Sequence, residues 1–193
     1  TSFQFASEDS RTLYFTANDI KTESFALYRY DLNTSQKELV FSEEGIWSVS
    51  DHLPTGELLL QKATGNRSSE FFLWSLKGDR PLTPLVGQGE KEDYEVKFSA
   101  NPGEYLVLTP KWGNFRRLYR LKGGHYSPVT AEMSVEVSDF FIDRARTKIY
   151  YGLNDQGYQR FEVLDAHSFK KIAVPGHLKA DQIFIASISR DGQ

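Results

Sequence analysis

With 193 residues, 39% hydrophobic and 14% aromatic side chains and a formal charge of -3, the chain has the make-up of one folded, soluble globular unit, not of a disordered or nucleic-acid-coating segment. It contains no cysteine, which excludes disulfides, thiolate metal sites, cysteine-ligated haem and a cysteine nucleophile. No run of 18 apolar residues occurs and Thr1-Ser2-Phe3-Gln4-Phe5 lacks the features of a signal peptide, so no membrane partner is expected and both cytoplasmic and exported locations stay open.

Taken in chain order, the apolar segments repeat. Leu13-Tyr14-Phe15, Leu58-Leu59-Leu60, Tyr105-Leu106-Val107 and Ile149-Tyr150-Tyr151 follow one another at steps of 45, 47 and 44 positions. A second series keeps pace: Leu27-Tyr28-Arg29-Tyr30, Leu73-Trp74-Ser75-Leu76, Leu118-Tyr119-Arg120-Leu121 and Phe161-Glu162-Val163-Leu164. Both series alternate partly with a period of two, which predicts strands.

Each unit opens with a shorter strand, around Phe5, Val49, Phe98 and Phe141. Polar punctuation follows it: Ser7 to Arg11, Asp51 to Glu57, Ser99 to Glu104 and Asp143 to Thr147. A weaker fourth strand is predicted at 37–41, 81–86, 127–130 and 169–174. Prolines in the second and third of these suit an outer edge, because proline donates no ladder hydrogen bond.

Four antiparallel strands recurring about every 40–50 residues are the sequence form of a propeller blade. The predicted fold class is therefore all-β, a β-propeller segment over 1-193. Its approximate blades are 1-43, 44-89, 90-133 and 134-177, with 178-193 holding the opening strand of a fifth. A β-sandwich and an extended repeat are the alternative all-β arrangements. An open propeller edge would favour a covering contact, and a homodimer is one form of it.

The chemistry-bearing residues are scattered. Ser48, Ser68, Ser69, Ser127 and Ser134 lack a G-x-S-x-G elbow, and His52, His125, His167 and His177 form no metal-binding pattern. Glu43-Glu44, Glu90, Glu92-Asp93 and Asp139 read as solvated loop or strand-edge carboxylates, and none belongs to a calcium loop. Phe115-Arg116-Arg117-Leu118-Tyr119-Arg120 beside Lys111-Trp112 has the residue types that meet phosphates and bases. Strand alternation divides that patch, with Arg116, Leu118 and Arg120 on one side and Arg117 and Tyr119 on the other. An inter-blade salt bridge or a protein-binding face is expected there, not nucleic acid.

Arg29, Arg120 and Arg160 fall near equivalent strand positions, which predicts a repeated structural role. Glycines such as Gly56 and Gly103 mark turns, and no phosphate-binding fingerprint occurs. Asn33-Thr34-Ser35 and Asn66-Arg67-Ser68 fit glycosylation acceptor spacing without fixing a compartment. No catalytic residue, cofactor-binding residue, metal ligand or cofactor is assigned.

The segments 7–16, 25–32, 148–152 and 157–165 together resemble the propeller repeats of prolyl-oligopeptidase-like serine peptidases, with TolB-type propellers similar in pattern. The resemblance covers nearly the whole chain. It implies a parent protein with a separate α/β-hydrolase domain, whose active site the propeller covers and from which it excludes large folded substrates. This chain would then be a noncatalytic segment that contacts that domain, with peptide substrate passing nearby. The alternative it implies is an autonomous TolB-like protein-binding platform.

Overall fold

The computed structural model describes residues 1–78, 81–174 and Ile183. The chain divides into two compact units, Thr1–Tyr94 and Glu95–Gln193. Each holds two four-stranded antiparallel sheets of the blade type expected from the repeat, with strands hydrogen-bonded in chain order.

In the first unit, β1 (Ser2–Ala6), β2 (Thr12–Lys21), β3 (Ser24–Asp31) and β4 (Gln36–Phe41) form one sheet. The next sheet is built from β5 (Ile46–His52), β6 (Glu57–Ala63), β7 (Ser69–Ser75) and β8 (Thr83–Val86). Phe5, Tyr14, Leu27 and Phe41 of the first sheet pack on Trp47, Leu58 and Leu60 of the second, so that one face of each is a shared core. Phe41 wedges edge-on between Trp47, at 5.0 Å, and Trp74, at 5.5 Å. Full burial of leucines such as Leu58 and Leu60 stabilises the pairing by about 1.5–3 kcal/mol each.

The second unit repeats the plan with β9 (Glu95–Phe98), β10 (Glu104–Thr109), β11 (Arg117–Lys122) and β12 (His125–Pro128), followed by β13 (Glu136–Ile142), β14 (Lys148–Asp155), β15 (Tyr158–Asp165) and β16 (Lys171–Ile172). Leu106, Leu108 and Leu118 of its first sheet meet Val137, Phe140, Ile149, Tyr151 and Leu153 of its second. The outer strands of the second, third and fourth sheets are short, and Pro84 and Pro128 lie in the first two of these. Of the opening strand expected at the end of the chain, only Ile183 is among the described residues; its N–H donates to the Gln159 carbonyl at 2.9 Å.

The first strands of three sheets depart from simple alternation. β1, β5 and β13 each carry one extra residue relative to the neighbouring strand, between Phe3 and Phe5, Val49 and Asp51, and Val137 and Phe140. A bulge of this kind reverses the parity of the strand beyond it. Phe3 lies opposite Phe15 and Phe5 opposite Tyr14, so two rings that alternation alone would place on one face point to opposite faces.

The registers also define one cross-strand row common to the four sheets. It runs Phe3, Phe15, Tyr28, Leu39 in the first and Val49, Leu60, Phe72, Pro84 in the second. In the third it runs Val96, Val107, Tyr119, Pro128, and in the fourth Phe140, Tyr151, Glu162.

Carboxylates fix the turns. Asp143 accepts from the Thr147 amide at 2.6 Å, the Thr147 hydroxyl at 2.5 Å and the Lys148 amide at 3.0 Å, closing the β13–β14 reversal. Asp31 accepts from the amides of Asn33 and Thr34, and Asp165 from those of His167 and Ser168, at the same point of the first and fourth sheets.

Candidate functional site

The bulge in β13 sets up a polar cluster in the second unit. Its extra residue leaves the Ser138 carbonyl outside the regular ladder, and Arg116, just ahead of β11, donates to it through Nη1 at 2.9 Å. The Arg116 guanidinium also lies 3.7 Å from Glu95, which has Lys97 at 3.6 Å on its other oxygen. The Ser138 hydroxyl donates to Asp139 at 3.1 Å and accepts from Gln159 at 3.1 Å. Gly152 of β14 has no side chain because this group lies over it: a Cβ there would stand 2.3 Å from Asp139 Oδ1 and 2.5 Å from Ser138 Oγ.

Burial pushes the Glu95 carboxyl above its ordinary range, while the cations of Lys97 and Arg116 act in the opposite direction. A raised carboxyl between two cations is common to buried ion-pair networks and to acid–base sites. Through Arg116 and Ser138 the cluster joins the two sheets of the unit. Beside it lies an open cleft of about 530 Å³ lined by Phe115, Ser134, Val135, Glu136 and the β14–β15 turn from Asn154 to Gly157. Trp112, 48% exposed, packs on Tyr119 at 4.8 Å and Tyr126 at 4.7 Å, and Phe115 is 40% exposed. Aromatic side chains and carboxylates held on loops at strand ends are suited to recognising a partner.

The first unit carries a smaller cleft, of about 390 Å³, between its two sheets. His52 forms one wall, stacked on Phe5 at 4.1 Å, with Tyr14 stacked on the far side of that ring system at 4.3 Å from Phe5. Glu8, Asp9, Leu53 and Pro54 complete it.

The serines singled out in the sequence are separated. Ser69 is buried and accepts from Gln61 at 2.8 Å, Ser68 is joined to Thr64, Ser127 accepts from Arg120 at 3.2 Å, Ser48 lies opposite Gln61, and Ser134 lines the larger cleft. Among the histidines, His125 is exposed at the start of β12 and His167 faces Asn101 at 3.3 Å; His177 lies outside the described residues. Glu44 pairs with Lys21, Glu90 accepts from Tyr94, and Glu43 is exposed; Glu92 and Asp93 are half-buried. Asp139 alone of these carboxylates joins the cluster. Among the described residues, no three histidine, aspartate or glutamate side chains converge as metal ligands, and no helix is long and apolar enough to cross a membrane.

The basic segment divides as alternation predicted. Arg116 and Arg120 point to the side of Leu118, Arg120 meeting Glu104 and Ser127, while Arg117 lies over the Tyr119 ring at 5.8 Å and donates to the Thr130 carbonyl. The expected equivalence of Arg29, Arg120 and Arg160 holds for the first two, opposite Tyr14 and Leu106. Arg160 instead lies opposite Leu153, three residues ahead of the equivalent position, and pairs with Asp155 in its own hairpin. The sequence reading missed Glu95, Lys97, Arg116 and Ser138 as a group, because a bulge and a sheet-to-sheet contact unite them.

No family model and no curated protein matches the sequence. Solved structures do match in fold. TolB from Acinetobacter baumannii is 17% identical, with a TM-score of 0.65 over 87% of this chain and 41% of that one. A prolyl endopeptidase is 15% identical, with a TM-score of 0.68 over 91% of this chain and 28% of that one. Oligopeptidase B from Leishmania major is 14% identical, with a TM-score of 0.63 over 86% and 24%. The chain spans less than half the length of each of these three. It thus has the all-β fold of TolB-like and prolyl-oligopeptidase-like propeller domains at low sequence identity, expressed as four four-stranded antiparallel sheets.

Proposed function

We propose that this chain is a noncatalytic propeller segment of a prolyl-oligopeptidase-like peptidase, restricting substrate access and contacting an α/β-hydrolase domain. The observation that carries the reading is the fold likeness to a prolyl endopeptidase over 91% of this chain, against 28% of the longer protein. The absence of a G-x-S-x-G elbow from this sequence is compatible with chemistry housed in another domain. Physically the role is geometric. Short strands hold their loops in fixed places, so that passage depends on the size and flexibility of a peptide while the bond is broken elsewhere. The loop bearing Trp112 and Phe115, with the acidic cleft beside it, is the surface suited to a domain contact.

A TolB-like protein-binding platform is the second reading, favoured by the comparable likeness to TolB over 87% of this chain. The complete reading frame of the gene separates the two. A G-x-S-x-G elbow followed by aspartate and histidine in an α/β-hydrolase region supports the peptidase reading. A frame without such a region overturns it in favour of the platform.

A further inference from the structure

We propose that Arg117 of β11 and Trp112 of the loop before it form a recognition site for an acidic polypeptide segment of a partner, whose carboxylate meets the Arg117 guanidinium while a neighbouring apolar side chain meets the Trp112 ring. The inference rests on the reading of that loop as a contact surface and names the chemistry it takes. It holds whether the segment belongs to a hydrolase domain or to a separate protein.

Arg29, Arg116, Arg120 and Arg160 each meet a carboxylate, respectively Glu38, Glu95, Glu104 and Asp155. Arg117, half-buried, meets none among the described residues. Its Nη2 donates to the Thr130 carbonyl at 2.8 Å, its Cζ lies 5.8 Å from the Tyr119 ring centre, and its Nε is buried with no acceptor. Thr130 is 4% exposed, and its hydroxyl accepts from the Leu118 amide, so the guanidinium rests on fixed neighbours. A half-buried cation without a counter-charge is costly. The donors still unused on its outer edge, Nη1 and the second N–H of Nη2, have the planar spacing that a carboxylate takes with two parallel hydrogen bonds.

The Tyr119 ring beside this cation also packs on Trp112, at 4.8 Å, and Tyr126 supports Trp112 from β12 at 4.7 Å. Trp112 nevertheless stays 48% exposed, with the Lys111 ammonium 5.6 Å from its ring. Tryptophan, tyrosine and arginine side chains dominate binding surfaces, and ones already held in place lose little freedom on binding. The charge around these rings is positive, which selects an acidic partner. Alternation turns Arg117 away from Arg116, which reaches toward the fourth sheet and the carboxylates of its cleft, so the basic side is separate from the acidic one.

Nuclear magnetic resonance titration of the whole chain with the capped peptide Gly-Phe-Glu-Gly is the test, read at the Trp112 indole N–H and the β11 amides. Wild type is expected to bind it with a dissociation constant in the roughly millimolar range. The neutral peptide Gly-Phe-Gln-Gly, and the variants Arg117→Gln and Trp112→Ala with the acidic peptide, should each bind about fivefold more weakly or worse. Arg117→Lys should recover only part of the loss, because it keeps the charge without the fork. Arg29→Gln, at an arginine of the first unit, should bind like wild type. If circular dichroism shows Arg117→Gln unfolded, the two peptides on the wild-type chain decide alone. Equal binding of those peptides, or no binding of either up to about 10 mM, overturns the proposal. Binding of oligothymidylate more tightly than the acidic peptide overturns it in favour of nucleic acid. None of these results bears on the choice between peptidase segment and platform, which the reading frame decides.

Discussion

The side-chain oxygen of Gln4 accepts a hydrogen bond from the backbone N–H of Val49 at 2.7 Å, tying the bulge of β1 to the bulge of β5 in the adjoining sheet. The amide nitrogen of Gln4 reaches the other way, to the Thr16 hydroxyl at 3.2 Å within its own sheet. Arg116 performs the corresponding service for Ser138 in the second unit. In both units a side chain from one sheet thus satisfies a backbone group that the bulge of the next has removed from the ladder.

Gln4→Ala removes the acceptor of the Val49 amide. It is expected to cost about 1 kcal/mol, and urea unfolding monitored by tryptophan fluorescence reads it, since Trp47 lies in the core that this contact closes.

Asp143→Ala leaves two backbone amides and the Thr147 hydroxyl without their acceptor at a residue only 2% exposed. A loss of about 2–3 kcal/mol is expected, with Asp143→Asn falling between it and wild type because one carbonyl oxygen remains. Thermal unfolding of the three proteins gives the order, and equal melting temperatures would show that the turn is held by other means.

Glu95 predicts a pH effect of defined sign. Its carboxyl is raised by burial, so the folded chain binds that proton more tightly than the unfolded chain. The stability this supplies is complete below the ordinary carboxylate value and declines as pH rises through the raised one. Melting of Glu95→Gln from mildly acidic to neutral pH should therefore lack that part of the decline, its difference from wild type growing in the variant's favour with pH. Asp31, held low first by the Thr34 amide, and Asp165, held low first by the Ser168 hydroxyl, act in the other direction. Their contribution is present above the ordinary carboxylate value and lost as pH falls through the lowered one.

Gly87 adopts φ +88°, and a Cβ there would meet the Ser69 carbonyl oxygen at 2.4 Å. Because that atom is backbone, the sheet has to move. Gly87→Ala is expected to destabilise by more than the roughly 1–2 kcal/mol of the left-handed conformation alone, and chemical unfolding measures it. Gly89→Ala, with φ +71° and open space around it, serves as the comparison that carries the conformational cost without the collision.

Much of the fold was legible in the spacing of apolar residues, because strands that bury one face against a neighbour must repeat their hydrophobic positions. Leu13-Tyr14-Phe15 and its three counterparts are the second strands, and the divided arginine segment follows from alternation within β11. Bulges were not legible. Phe3 and Phe5, two apart, read as one face until the residue between them is counted out of register. The polar cluster was hidden for the same reason. Glu95, Arg116 and Ser138 are far apart in sequence, and what joins them is a carbonyl freed by an irregularity in β13. Arg160 shows the converse error, since nearness to an equivalent position in a repeat is not equivalence when register decides which face a side chain occupies.

The bulge at Gln4 lengthens β1 by a single residue, whereas β9 runs beside β10 with none. The chain therefore contains both a longer and a shorter edition of the first strand of its repeat, and this is a place where a repeat can gain or lose a residue without scrambling its faces. With Gln4 deleted, Phe3 and Phe5 become adjacent and still point to opposite sides; a deletion within β2 would turn half of that strand inside out. A length change at this position leaves the faces of the strand intact and also bears on the contact between Gln4 and the Val49 amide that laces the two sheets.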